Sequence, residues 1–131
     1  NKLKREFLKP TKIYVNEILD LHKKNLINAA AHITGGGLVE NLQRSVPKKL
    51  SINLDLEMIK IKKIFKWLKT KNIPDSEMMR TFNCGIGFCL IAPSKNLKKI
   101  KNSFSKEFEP YKIGFISKSN GKTILKNNLK W

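Results

Sequence analysis

Two short stretches of this 131-residue chain gather the residue types that handle anionic ligands. The first is His32-Ile33-Thr34-Gly35-Gly36-Gly37, where a small, apolar run ends in three glycines ahead of a second apolar segment. A strand stopping at such a turn before a helix leaves backbone N–H groups unpaired at the helix N-terminus, where they and the dipole favour an anion. Glycine suits the place because a Cβ would hold phosphate oxygens off the backbone. Thr34 adds a hydroxyl donor, and His32 lies beside the same spot. The second stretch is Met79-Arg80-Thr81-Phe82-Asn83-Cys84-Gly85-Ile86-Gly87, which sets Thr81 and Asn83 just before a long apolar run. An Asn-x-Gly-x-Gly turn offers several backbone donors and one amide. If the two strands are neighbours, both turns face one cleft, with Arg80 and a few lysines setting a positive field. The chemistry implied is binding of a phosphorylated small molecule. Each stretch by itself also fits a plain turn, with His32 packed in the core in the first case and glycines relieving crowding in the second.

Other chemistries find no support in the residue pattern. The P-loop's Lys and Ser/Thr are missing, as is the later acidic residue of a dinucleotide fingerprint. The two histidines, His22 and His32, and the ten carboxylates show no metal-ligand spacing, so no metal site is expected in these residues. Cys84 and Cys89 stand five apart with no Cys-x-x-Cys, which argues against a disulfide framework or a zinc knuckle. Cys84 has no evident base partner and Cys89 sits inside an apolar run, so both read as inert buried thiols. A reduced, cytoplasmic setting is the expectation. No apolar run reaches the ~18 residues of a membrane span, and Asn1-Lys2-Leu3-Lys4-Arg5 does not lead into a signal peptide.

The net charge of +17 invites a nucleic-acid partner. Two features argue otherwise. There are 24 Lys but 3 Arg, whereas nucleic-acid readers draw heavily on the planar Arg fork. Lys, Asn and Ile together make up 52 residues, the signature of A/T-rich codons, and the lysines spread from Lys2 to Lys130 without a block of five. The expectation is a solvated Lys-coated surface that attracts small anions.

Elements that must position the two turns follow from periodicity. Residues 1–12, around Pro10-Thr11, read as an entry segment, as if the chain arrived from elsewhere, and 13–131 as one domain. A helix is predicted over 14–24, a strand over 29–34, and a helix from the glycines to Pro47. Alternation at Leu50, Ile52 and Leu54 predicts a half-buried strand. Met58, Ile61, Ile64, Phe65 and Leu68 line one face of a predicted helix whose lysines lie mostly on the others. A short helical turn at 77–80 precedes Ile86–Ala92, which reads as a central strand buried on both faces. A helix over 95–108, a strand from Tyr111 to Phe115, and a hairpin at Ser119-Asn120-Gly121 returning through Thr123–Leu125 complete the pattern. The fold class expected is α+β, with a mixed, partly antiparallel sheet packed with helices.

At these same residues the sequence resembles a known family. Pro10-Thr11-Lys12-Ile13-Tyr14-Val15, His32–Gly37, Glu40-Asn41, Glu77–Gly87 and Lys112-Ile113-Gly114-Phe115-Ile116 resemble, in order, the C-terminal half of the phosphoribosylformylglycinamidine cyclo-ligases (phosphoribosylaminoimidazole synthetases). The resemblance runs over roughly residues 8–118. It implies a purine-biosynthetic, cytoplasmic ligase of two domains that acts as a homodimer. Such an enzyme uses ATP and Mg²⁺ to phosphorylate the formyl amide oxygen of formylglycinamidine ribonucleotide. An amidine nitrogen then closes the imidazole ring and expels phosphate, giving aminoimidazole ribonucleotide. On this chain, the resemblance implies that Thr34, Gly35, Gly36 and Gly37 hold a phosphate or the nucleotide and that Thr81, Asn83 and Gly85 form the opposing wall. It leaves His32 as a polar neighbour and the candidate for a catalytic role. Most ATP contacts and the Mg²⁺ carboxylates would belong to the N-terminal domain, so the chain alone is expected to be inactive. Selenophosphate, thiamine-phosphate and hydrogenase-maturation relatives share the two-domain plan but not the Met-x-Arg-Thr-Phe-Asn-x-Gly-x-Gly run. A basic nucleic-acid module is the remaining alternative, and no membrane partner is expected.

Overall fold

The computed structural model describes residues 2–131, with side chains from residue 4 onward. In chain order the elements are α1 (Lys2–Phe7), α2 (Val15–Lys23), β1 (Ala29–His32), α3 (Gly37–Ser45), β2 (Leu50–Asp55), α4 (Lys63–Lys69), α5 (Asp75–Thr81), β3 (Phe88–Ile91), α6 (Leu97–Asn102), β4 (Gly114–Lys118) and β5 (Thr123–Lys126). Short 3-10 turns lie at Leu56–Met58, Ser94–Asn96 and Lys106–Phe108. This is the expected α+β mixture, with one difference of layout: the strands form two sheets and not one. β1 and β3 make an antiparallel pair, in register Ala29↔Ile91 through His32↔Phe88. The other sheet has the order β4-β2-β5, with β4 antiparallel and β5 parallel to β2.

One core joins the two sheets. Ala31 and Cys89 from the first meet Ile52 and Leu54 from the second, together with Leu38 and Leu42 on one face of α3 and Leu129 near the C-terminus. Alternation along β2 places Ile52 and Leu54 in this core as the period of two requires. Ser51, fully buried just before Ile52, accepts the Lys122 N–H at 3.2 Å, so its hydroxyl is not left unpaired. α2 ends in a Schellman arrangement. Asn25, at φ +52°, donates its N–H to the His22 carbonyl, and Leu26 donates to Leu21.

Several predicted elements change on folding. The helix expected from Met58 starts only at Lys63, and Met58 is exposed. Asp55 caps the short Leu56–Met58 turn by accepting the Glu57 N–H, Ile59 is drawn into the core, and the Lys60 N–H donates to the Tyr111 hydroxyl at 3.1 Å. These tertiary contacts compete with the helix ladder over 59–62 and hold the segment extended. β3 is shorter than the predicted strand and belongs to a two-stranded sheet, so it is not central. The expected helix over 95–108 is reduced to α6 between two 3-10 turns, because Ser105 is extended. The last strand before Asn120 begins at Gly114, not Tyr111.

The Asn120-Gly121 turn does not make a hairpin. β4 and β5 lie on opposite sides of β2, and the connection between them wraps the start of that strand. Gly121, at φ +78°, sits so close to the Lys48 carbonyl that a Cβ would collide with it. Positive φ at this position therefore serves a close crossing instead of a two-residue turn. Residues 1–12 were expected to be an approach segment; α1 occupies part of it, with Phe7 edge-on to Trp67 at 6.0 Å between ring centroids.

Candidate functional site

The antiparallel pairing of β1 with β3 decides where the two glycine-rich turns lie. The chain leaves β1 at His32 and enters β3 at Phe88, and these residues are register partners. The Ile33 N–H donates to the Gly87 carbonyl at 3.0 Å, extending the pairing into both turns. The expected juxtaposition is therefore present. A depression of about 220 Å³ opens beside it, lined by Ile33 and Thr34 from the first turn, Phe65 from α4, and Thr81, Phe82 and Asn83 from the end of α5. It falls below the ~300 Å³ at which pockets begin to enclose a whole small ligand, so its size suits part of a ligand.

Local hydrogen bonds shape each wall. Gly37 donates its N–H to the Thr34 carbonyl at 3.1 Å, closing the first turn. Gly36 and Gly37 have φ of +92° and +67°, and a Cβ on Gly37 would collide with the Met79 carbonyl of α5. Glycine at 37 is thus required for α3 to approach α5, which is a packing reason for it. The N–H groups of Gly35 and Gly36 make no hydrogen bond among the described residues. Asn41, buried on α3, donates its amide to the carbonyls of Gly35 at 3.1 Å and Gly37 at 2.7 Å. On the other wall, the Asn83 Oδ1 accepts the Gly85 N–H at 3.0 Å, an Asx turn in which Cys84 and Gly85 take φ of +51° and +105°.

The charges are arranged unevenly. Glu40 folds its carboxylate back over Gly36 and pairs with Arg44. Arg80, expected to contribute a positive field, is exposed and pairs with Glu77 at 2.9 Å. His32 is exposed and not packed in the core: its ring stacks on Phe88 at 5.6 Å and meets Tyr14 edge-on at 6.1 Å. Tyr14 also covers Gly87, where a Cβ would collide with its hydroxyl, and partial burial raises its phenol above the ordinary value despite Lys12 nearby. Lys12 is held at 2.6 Å from Glu17, whose carboxyl is lowered chiefly by that hydrogen bond.

Both cysteines are free, buried thiols. Burial pushes Cys84 up to about 11, with a smaller contribution from the Asp75 charge, and pushes Cys89 up to about 12. Among the described residues no three His, Cys, Asp or Glu side chains are grouped to hold a metal ion. No helix among them is long and apolar enough to cross a membrane. Of the residues singled out by sequence, Thr34, Thr81 and Asn83 line the depression, Gly35–Gly37 and Gly85 form the turns beside it, and His32 stands at the β1 end outside its lining. Two contributors were missed. Asn41 carried a signal, a polar residue on the apolar face of α3; Phe65 carried none that distinguished it from core.

Residues 1–126 match the family described as AIR synthase related protein, C-terminal domain. The phosphoribosylformylglycinamidine cyclo-ligase of Carboxydothermus hydrogenoformans is 42% identical over 125 residues, 94% of this chain and 36% of that protein. The enzyme of the same name from Neisseria gonorrhoeae is 38% identical over 121 residues, 91% of this chain and 35% of that protein. A bifunctional purine biosynthetic protein of Saccharomyces cerevisiae is 41% identical over 103 residues, 78% of this chain and 13% of that protein. The chain thus spans about a third, or less, of the length of these relatives. With a family match across nearly its whole length and two glycine turns meeting at one depression, the chain belongs to the AIR synthase related C-terminal domain family.

Proposed function

We propose that this chain is the C-terminal domain of an ATP-dependent cyclo-ligase that converts formylglycinamidine ribonucleotide to aminoimidazole ribonucleotide in purine biosynthesis, in the cytoplasm. The observation that carries this reading is the meeting of the Thr34–Gly37 and Thr81–Gly85 turns at one depression. Its lining is rich in hydroxyl, amide and backbone donors and poor in titratable groups. Such a site suits a reaction in which the protein orients a substrate and stabilises phosphoryl charge, with little proton transfer of its own. Residues 1–12 serve as the interdomain segment and 13–131 as the domain; the preceding domain, ATP and the ribonucleotide are its partners, in a homodimer of the full-length enzyme.

The donor set fits part of a phosphorylated ligand. Thr34, Gly35, Gly36 and Gly37 supply one wall and Thr81, Asn83 and Gly85 the other. His32 is the candidate for a polar contact at the rim. Mg²⁺ has no matching carboxylate group among the described residues, so no step is assigned to a metal on this domain. ATP supplies the phosphoryl group that activates the amide oxygen; the role given to this chain is to hold the substrate side of the cleft and exclude water as the domains close.

The test is a chimera in which this chain replaces the matching segment of the Carboxydothermus hydrogenoformans cyclo-ligase. The folded chimera is expected to release ADP and phosphate only when formylglycinamidine ribonucleotide is present, and to yield the imidazole product. A folded chimera without substrate-dependent ATP turnover overturns the reading. The 131 residues alone are expected to be inactive, and measurable ring closure by them would overturn the need for a preceding domain.

A further inference from the structure

Charge is polarised across the candidate cleft in a way that separates its two turns. At the Gly35–Gly37 turn, the Glu40 carboxylate lies over Gly36. An anion at this turn shares the space with that carboxylate, which is already paired with Arg44. At the Asn83–Gly85 turn the neighbouring side chain is cationic. Lys62, the residue just before α4, is extended at φ −73° and ψ 151°, and runs alongside Gly85. A Cβ on Gly85 would lie 3.2 Å from the Lys62 Cγ and 3.1 Å from the Lys60 carbonyl, so the missing side chain is what lets the Lys62 stem rest on this turn. Phe65, three residues further on, lines the depression together with Asn83.

The lysines around it have other occupations. Lys60 lies over the Tyr111 ring at 4.6 Å, Lys66 donates to the Lys130 carbonyl, Lys69 pairs with Asp75, and Lys71 lies over the Trp67 ring at 5.0 Å. Lys62 and Lys63 have no such partner among the described residues, and of the two only the stem of Lys62 is seen against Gly85. Arg80, the other cation of this wall, is occupied by Glu77. A phosphate monoester carries nearly two negative charges at neutral pH and needs a cation as well as neutral donors.

We infer that Lys62 is the cation that holds the phosphate monoester of a ribonucleotide ligand, at the Asn83–Gly85 turn, while the Gly35–Gly37 turn takes an uncharged polar part of the same ligand. This rests on the proposed function and assigns the charge within it. Asn83 has its Oδ1 committed to Gly85, which leaves its amide nitrogen as the neutral donor of this turn.

Titration of the full chain with ribose 5-phosphate, with ribose as the uncharged control, tests the inference through backbone amide shifts. Ribose 5-phosphate is expected to move the Asn83 and Gly85 amides more than those of Gly35 and Gly36. Lys62→Gln should weaken binding by about tenfold or more, the loss expected for a charge-assisted contact. Lys62→Arg should retain most of the affinity, and Lys63→Gln should leave it unchanged. If Lys62→Gln binds like the parent chain while Asn83 and Gly85 still shift, the role of Lys62 is overturned and the cleft reading survives. Largest shifts at Gly35 and Gly36 would overturn the assignment of the phosphate. Absence of shifts throughout the cleft would overturn both the inference and the reading beneath it.

Discussion

The Asn41 side chain donates its two amide hydrogens to carbonyls on either side of the glycine turn, Gly37 at 2.7 Å and Gly35 at 3.1 Å. Through this one buried residue, α3 grips the loop from which it starts. Asn41→Ala is expected to leave a buried carbonyl without a donor and to destabilise the chain by about 1–3 kcal/mol. Asn41→Asp should do more damage, because a carboxylate turned toward two carbonyls repels them. Urea unfolding of the three proteins measures the ranking; equal midpoints would show that the amide does not hold the turn.

Gly37 and Gly35 are expected to respond very differently to the same substitution. Gly37→Ala combines a φ of +67° with a collision against the Met79 carbonyl. Strain and overpacking together should cost at least about 2 kcal/mol and push α3 from α5. Gly35→Ala meets nothing within 4 Å and carries no positive φ, so its stability should stay near that of the parent. Thermal melts of both variants check the contrast.

High pH should weaken the fold through the thiols. Folded Cys84 and Cys89 hold their protons up to about 11 and about 12, against an ordinary value of 9.0. The unfolded chain therefore loses these protons first as pH rises, and the stabilising preference for the neutral thiol is lost between about pH 9 and 12. Tyr14 and Tyr111, also raised by burial, act in the same sense. Stability measured across this range should fall steadily. Iodoacetamide at pH 8 should label both cysteines rapidly only after denaturation; rapid labelling of the native chain would contradict their burial.

Asp75 links α5 to the C-terminal residue and to α4. It accepts the Trp131 indole N–H at 3.0 Å and pairs with Lys69 at 2.5 Å, and these contacts, the Lys69 one first, lower its carboxyl. The stability they add is present above the unfolded carboxyl's titration and is lost as pH falls through the lowered folded one. The carboxylate is half exposed, so Asp75→Asn should cost below about 1 kcal/mol. Trp131 fluorescence should still change as Lys69 loses its anchor; an unchanged spectrum would argue against the contact in solution.

Local spacing made much of this fold legible. The three glycines after β1, the alternation Leu50-Ile52-Leu54 and the helical spacing before Pro47 each name an element, because burial on one face imposes its own period on neighbouring residues. The same logic failed at Met58–Lys62, where helical spacing was present but the Asp55 cap, the buried Ile59 and the Tyr111 hydroxyl held the backbone extended. It failed again at Asn120-Gly121, whose left-handed residue serves a crossing over Lys48 and not a hairpin.

By itself the sequence determined which residues could form donor-rich turns, Thr34–Gly37 and Thr81–Gly85. Only the tertiary structure decided that these turns meet, that Glu40 covers one of them, and that Lys62 rests on the other. The reason is physical: a residue's period is written in its near neighbours, whereas the pairing of β1 with β3 across 55 intervening residues is settled by burying one shared core.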